Sequence, residues 1–570
     1  MKCFLQKQVL LLLICLAPVL QAGAQGLLQK TITLTATNRP LPDVLKAIEK
    51  QADFYFSYNS KAIPKNKLVS VSVKQQTVKA VLDIIFEGEV IYKEMHNHII
   101  LQPSGEKWYT LSGYVLDAST GLALTDASVY ERQQLVAALT NSEGFFKLRL
   151  KEKYPVANIT ISKEWYLDTS VVFTAGSDEV YRLPVSPIRN VQMNDVVVTQ
   201  NNKVPDSWLA RLFLSSNLKA QARNISGFLA SRPIQASFIP GLSTQGRLSG
   251  QIVNKFSLNI LGGYTAGARG AEVGGIFNIS KNDMNGVQVG GIFNVVGGKT
   301  NGVQVAGIYN DVLDSVGGVQ VSGVINKLSS NANGVVVAGV YNRVRDNVNG
   351  LQVAGVINTI GSRMDGTQIA GVINFVKGRM DGLQVSGIFN YAKKVNGMQI
   401  GVVNIADSTD GYTLGLINYS RNGYHKVSVS INDVTQLNLS VKTGNAKLYS
   451  IITGGMNLDP TNKAYAFGVG LGKDFILDKH WLISTEFTMQ HIYLGAWDHS
   501  HFVYRLAPSI QCQINKYLAI FAGNSLSVFE SPAFKPVEGY KKNVAPENPL
   551  FKAGTNMTGW FGVQAGVIIF

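Results

Sequence analysis

The residues with the clearest chemical promise are two histidine pairs. His96 and His98, and again His499 and His501, are spaced i,i+2, so each pair would share one face of a strand, as two imidazole ligands of a metal require. Asp498 adds an oxygen donor beside the second pair. Surface or loop histidines are the commoner source of such spacing, and no metal site is assigned. The stretch GVGLGK at Gly468 to Lys473 has the glycines and the lysine of a phosphate loop, but it lacks P-loop spacing and falls within an alternating strand. No HxxE or HExxH zinc motif, serine nucleophile elbow or paired-carboxylate motif stands out. The chain therefore reads as non-enzymatic, with no catalytic residue and no cofactor. Glu486 and Arg505 are charges that would suit a barrel lumen, although spacing alone does not orient them.

The strongest pattern is structural. An asparagine returns every 16 residues at Asn278, Asn294, Asn310, Asn326, Asn342, Asn358, Asn374 and Asn390, and then at the shorter spacing of Asn404 and Asn418. Each closes a near-copy of one phrase, such as GVQVAGIYN from Gly302 or GLQVSGIFN from Gly382. A fixed period of this kind marks one supersecondary unit copied many times. With Gly302 as position 1, apolar residues hold positions 2, 4, 7 and 8 and recur at 11 and 15, while positions 12 to 14 are turn-like. Glycine at position 6 never gives way within the regular array, which implies close approach of a neighbouring backbone.

Two architectures fit. In a solenoid each copy is one coil, stacked about 4.8 Å from the next, with the asparagines forming a hydrogen-bonded ladder at a corner. In a meander each copy is a strand of roughly 10 residues plus a turn, long enough to cross an outer membrane. A meander would alternate its two turn sets over 32 residues, and no such alternation is visible. The array nevertheless merges into strands of barrel type. Phe256, Leu258 and Ile260 alternate with Ser257 and Asn259 before it. After it, Val427, Val429 and Ile431 alternate with Ser428 and Ser430, and Phe487 and Met489 with Glu486, Thr488 and Gln490. One apolar face, one polar face and the aromatic Phe570 suit an outer-membrane barrel.

Composition sets the wider frame. The 570 residues carry a net charge of +15 with only 16% charged residues, and Lys and Arg are scattered without a basic helix or arginine cluster, so nucleic acid is not an expected partner. Lys2 and Lys7, the apolar run Val9 to Leu20 and the small residues Ala22-Gly23-Ala24 read as a signal peptide over residues 1–24. Of three cysteines, Cys3 and Cys15 would leave with it, so Cys512 would have no internal partner.

Residues 27–103 alternate short strands with two helices, one after Pro42 and one capped by Thr77. "LPDVLKAIEKQADFYFSYNSKAI" and "VSVKQQTVKAVLDIIF" resemble the secretin and TonB N-terminus short domain, which implies a periplasmic protein-interaction module without catalytic residues. Residues 108–187, with a Ser119-Thr120-Gly121 turn and a bend at Glu143-Gly144, resemble the carboxypeptidase regulatory-like domain, an immunoglobulin-like sandwich. In the linker over 188–233, Asp195, Val196, Val197, Val198 and Thr199 resemble the TonB-box-like stretch of TonB-dependent receptors, implying strand addition to a periplasmic partner. No plug domain follows, and a short amphipathic helix is expected from Asp206 to about Ala222. The repeats at 234–424 and the strands at 425–570, including "KFSLNILGGYTAG", resemble a bacterial surface-repeat family of outer-membrane type.

The expectation is thus a mainly β, multidomain protein: a small α+β domain, a β-sandwich, Gly-rich repeats as coils or barrel strands, and a terminal barrel. It would sit in the cell outer membrane, with its N-terminal domains in the periplasm. Its partners would be outer-membrane lipid and a periplasmic signalling protein or TonB-like protein, and the ligand is open. The alternative function is a TonB-coupled transporter or pore for a glycan or chelate.

Overall fold

The computed structural model describes residues 26–59, 67–103, 107–176, 180–188, 204–225, 227–532, 535–554 and 556–570. The expected signal peptide and the Asp195–Thr199 stretch lie outside the described residues. The chain divides into two compact units, Met1–Val191 and Gln192–Phe570.

The first unit holds two small layered cores. In one, the helices Leu41–Ala52 and Val78–Phe86 pack Val44, Leu45, Ile48, Val81, Leu82 and Ile85 against a two-stranded and a three-stranded sheet. Thr77 caps the second helix, its hydroxyl accepting from the Ala80 N–H at 3.2 Å. In the other, a three-stranded and a four-stranded sheet bury Leu111, Val115, Phe146, Ile159 and Ile161 between them. The Ser119-Thr120-Gly121 turn is held by Asp117, whose carboxylate accepts from the Ser119 and Thr120 N–H groups and from the Tyr166 hydroxyl.

In the second unit each copy is one coil of two strands, such as Met284–Gly290 with Phe293–Val296, followed by Thr300–Ala306 with Tyr309–Val312. Each strand pairs in parallel with its counterpart one copy on, in constant register: Gln288 with Gln304, Gln304 with Gln320, Asn294 with Asn310. Parallel pairing excludes the meander, in which successive strands run antiparallel, and the array is a solenoid. The strand Ile252–Asn259, with its barrel-like alternation, also belongs to the coils, being parallel to Ala230–Ile239 and Gly267–Gly274. Alternation reports only that two faces differ, and here Ser257 and Asn259 point inward.

Glycine makes the stacking possible at two positions per coil. A Cβ on Gly339, at position 6, would stand 2.0 Å from the Gly323 carbonyl oxygen one coil away. At position 1, Gly334 has φ +128° and its Cβ would meet the Gly318 carbonyl oxygen at 2.1 Å. The coil interior holds positions 11 and 15, as Val312, Val344, Val316 and Val348, together with the asparagines. Positions 2 and 7 face outward, as Val287, Val303, Ile292 and Ile308.

The expected single helix is two, Trp208–Phe213 and Ser216–Asn224, because Ser215 leaves the helical conformation to cap the second through the Leu218 N–H. Leu209, Ala210, Leu214, Leu218 and Ala222 cover Phe277, Ile279, Phe293 and Val295 on the first coils.

Beyond the array, eight antiparallel strands close into a barrel, from Tyr424–Asn432 round to Met557–Ile569, which pairs back to the first strand at Val429↔Val567. No helix among the described residues is long and apolar enough to cross a membrane, which says nothing of a barrel. The last coil abuts one rim of the barrel: the Asn418 N–H donates to Thr443 Oγ1 at 3.1 Å, and the Asn445 amide to the Gly411 carbonyl at 2.8 Å.

Candidate functional site

Three connected sets of polar groups lie inside the second unit. The first is the asparagine ladder. Every repeat asparagine from Asn278 to Asn418 is essentially inaccessible to solvent. Each Nδ2 donates forward to the Oδ1 of the next asparagine, as Asn310 does to Asn326 at 2.9 Å and Asn390 to Asn404 at 2.9 Å. Its second proton goes to a backbone carbonyl of the next coil, Val321 in the case of Asn310. The asparagines sit within the shorter strand and point inward, instead of occupying a corner. A buried amide left unpaired costs roughly 1–3 kcal/mol, so the ladder ends need partners. At the start Asn259 donates to Asn278, and at the far end Asn418 donates to Ser450 Oγ of the barrel at 2.7 Å.

The second set, which sequence reasoning missed, is a glutamine ladder at position 3 that runs the other way. Gln304 donates back to Gln288 at 2.8 Å, Gln320 to Gln304 at 2.7 Å, and Gln384 to Gln368 at 2.9 Å. The signal was present as Gln at the same 16-residue spacing within each phrase. Val336 interrupts it, and the two polar atoms facing the gap, Gln320 Oε1 and Gln352 Nε2, are buried without a partner.

The head of this ladder is Glu272, which occupies the glutamine slot of the first copy and is fully buried. It accepts from Gln288 at 2.7 Å, Ser280 at 2.9 Å and Thr265 at 3.3 Å. Burial pushes its carboxyl above the ordinary range, against the lowering effect of these hydrogen bonds. Nearby Lys281 donates to the Ala222 and Ile225 carbonyls at the end of the second helix, and burial lowers its amine to about 8.

The third set fills the barrel. Inward Lys426 pairs with Asp474 at 2.9 Å, Lys442 with Glu486, and Arg505 with Asp433 at 3.0 Å. Tyr449 donates to Glu486 at 2.8 Å, Ser484 to Asp474 at 2.8 Å and Trp560 to Asp433 at 2.6 Å. Glu486 and Arg505 thus both face the lumen, each in an ion pair. Beside them lies a cavity of about 30 Å³, lined by Ser428, Asn438, Lys442, Thr453, Glu486 and Arg505. That holds a few waters at most. The wall is the reverse: Val429, Ile431, Leu439, Phe467, Val469, Phe487, Ile510, Ile520, Val563 and Val567 are all exposed.

The histidine pairs do not assemble a metal centre. His98 Nδ1 lies 3.1 Å from Ser57 Oγ, while His96 is exposed in a left-handed turn. His499 contacts Asp498 at 3.0 Å, but His501 is buried against Ser531 Oγ at 2.7 Å. Among the described residues no three His, Cys, Asp or Glu side chains are grouped to hold a metal. The glycines of GVGLGK lie in the strand Tyr465–Ile476, where they leave lumenal room: a Cβ on Gly472 would meet the Tyr449 ring at 2.3 Å.

No protein-family model, curated protein or solved structure matches the chain.

Two substitutions test the polar interior. Val336→Gln closes the gap between two orphaned amides and is expected to stabilise the array by about 1–2 kcal/mol, read from urea midpoints. An unchanged or lowered midpoint contradicts the ladder. Because the folded pKa of Glu272 is raised, its contribution to stability falls as pH climbs past the unfolded value of about 4.3 and on through the folded one. Glu272→Gln should therefore raise the midpoint near pH 7 and leave it unchanged near about pH 4.

Proposed function

We propose that this chain is a non-enzymatic outer-membrane protein whose barrel anchors a stacked periplasmic array and whose N-terminal modules are periplasmic interaction domains. The observation that carries the reading is the closed barrel with apolar residues outward and ionic residues inward. In water such a wall would expose a continuous apolar belt, whereas in a bilayer it meets its preferred solvent and every strand edge is paired. Aromatic residues flank the belt at both rims, with Tyr465, Phe467 and Trp497 exposed at one and Phe475, Trp481 and Tyr517 at the other.

The rims differ in a way that favours one orientation. Strands on the array side are joined by the tight connections 446–447, 477–480 and 516–517. On the far side run one short connection, 433–436, and the longer loops 457–464 and 494–501 and the segment between Glu530 and Met557. Short turns face the periplasm and long loops the exterior in barrels of this class. The array then projects into the periplasm, and only the loops reach the cell surface. Nine steps from Asn278 to Asn418, at about 4.8 Å each, make the array a rigid spacer of roughly 43 Å. The resemblance of residues 27–103 to a periplasmic signalling module supports a role in relay or docking, with a periplasmic signalling or TonB-like protein as partner. The transporter or pore reading is disfavoured by a lumen cross-linked by three ion pairs.

In a Cys512→Ser background, a membrane-impermeant maleimide should label Asn462→Cys on intact cells and label Arg345→Cys only after the outer membrane is permeabilised. Equal labelling of Arg345→Cys on intact cells reverses the orientation, and loss of both proteins in a carbonate wash removes the membrane reading.

A further inference from the structure

One face of the solenoid changes character along its length. It comprises positions 8 and 10 of the shorter strand together with the adjoining corner at position 7. On the first coils position 10 is Ile279 and Val295, covered by the two helices. On the middle coils, where the helix cover ends, it becomes Asp311, Lys327 and Arg343, with Lys327 paired to Asp311 at 3.2 Å. On the last coils it turns aromatic and aliphatic again, as Phe375, Tyr391, Ile405 and Tyr419, with the Phe375 and Tyr391 rings stacked at 4.8 Å. No helix covers the face there. Ile388, Val402, Leu416, Ile417 and Tyr419 are between 43% and 53% exposed, an unusual concentration of bulky apolar surface beside the barrel rim.

Cations border the same face. Lys377, Lys393 and Arg421 follow position 10 on three of these coils, exposed and with no ion pair among the described residues, while Asp407 holds the same place on the fourth, in register between Lys393 and Arg421, so three cations border the face against one carboxylate. Their neighbours Arg379 and Lys394 are neutralised by Asp381 and Asp410. A stripe of aromatic and aliphatic side chains edged by unpaired cations, continuous with a lipid-facing wall, has the chemistry of a bilayer interface. Aromatics sit at the headgroup level there, and each cation gains from anionic lipid.

We propose that the coils from Tyr391 to Tyr419 form a collar that binds anionic phospholipid headgroups of the leaflet adjoining the array. The occupant is lipid because the stripe begins where the barrel's apolar belt ends and the bordering charge is positive. This rests on the barrel lying in a membrane. The headgroup layer is roughly 5–8 Å thick on each side, so at about 4.8 Å per step the Tyr419 and Ile405 coils lie within it, Tyr391 at roughly 10 Å stands at its outer edge, and Phe375 at roughly 14 Å lies beyond it, stacked on Tyr391. Binding at the collar holds the solenoid axis upright on its barrel, which gives the spacer a defined direction.

The test uses the full chain, in a Cys512→Ser background, reconstituted in phosphatidylethanolamine vesicles with or without phosphatidylglycerol. Single fluorescent labels at Val469→Cys on the barrel wall, Ile405→Cys on the collar and Arg343→Cys on the middle coils are quenched by headgroup-attached nitroxide lipids. The expected result is quenching at 405 at least about twofold stronger than at 343, increasing with phosphatidylglycerol. Combining Lys377→Gln, Lys393→Gln and Arg421→Gln should abolish the phosphatidylglycerol dependence at 405 while leaving 469 unchanged. If 469 is quenched but 405 matches 343, or if 405 is shielded equally without lipid because a second copy covers it, the collar is wrong and the barrel reading stands. If 469 is not quenched, the barrel reading fails and the collar with it.

Discussion

A carboxamide buried in a β coil has two N–H donors and a carbonyl to satisfy, and the coil that carries it offers no complete set of partners. The amide has to reach into the next coil, one strand spacing away, where an identical amide waits in the same position. That requirement organises the second unit. It demands parallel strands in constant register, which demands copies of constant length, which is why the asparagines recur every 16 residues over most of the array. It demands backbones close enough for amides to meet, which removes the side chain at positions 1 and 6. It also forbids a free end. The asparagine ladder starts on Asn259 and finishes on Ser450, so the barrel closes the solenoid as a terminal cap closes other repeat arrays.

The same inversion of polarity runs through both halves of the unit. In the coils, amides and a carboxyl lie inside, while valine and isoleucine at positions 2 and 7 lie outside. In the barrel, lysine, glutamate, aspartate and arginine lie inside and the apolar residues face out. For the barrel the lipid environment proposed above would resolve the apparent paradox. For the coils the cost of exposed valine is modest, because half-exposed β-branched residues on a parallel sheet still bury much of their area against neighbours above and below. The two structures therefore join without a change of interior chemistry: amide meets hydroxyl at the seam, and the outer surface stays apolar across it.

Much of this was legible in the residues, and the parts that were not share a cause. The period, the glycine close approach and the alternating barrel strands follow from spacing alone. Whether each copy was a coil or a membrane strand did not, because Val303 and Val305 alternate with Gln304 in either case, and only the pairing partner distinguishes them. For the same reason Phe256 and Leu258 resembled barrel strands. The glutamine ladder was visible as a repeat of Gln304 and Gln320, but a polar residue between two valines also suits an outward position on a strand. The ion pairs Lys426–Asp474 and Lys442–Glu486 join residues 48 and 44 positions apart, set by the curvature and closure of the barrel. Local pattern carries no information about that closure. The break at Ser215 turned on one hydroxyl choosing a cap over a helical turn.

The claim on which the account stands is the uniform parallel stack. Paired spin labels in the full chain, placed at Lys327 and Arg343 and, in a second protein, at Lys327 and Thr359, measure it directly. Steps of about 4.8 Å predict Cα separations of roughly 5 Å for the first pair and 10 Å for the second, growing linearly with the number of copies between labels. A meander would place residues one copy apart at opposite ends of neighbouring strands and residues two copies apart close together. Labels at Lys327 and Arg343 that lie farther apart than those at Lys327 and Thr359 would contradict the solenoid.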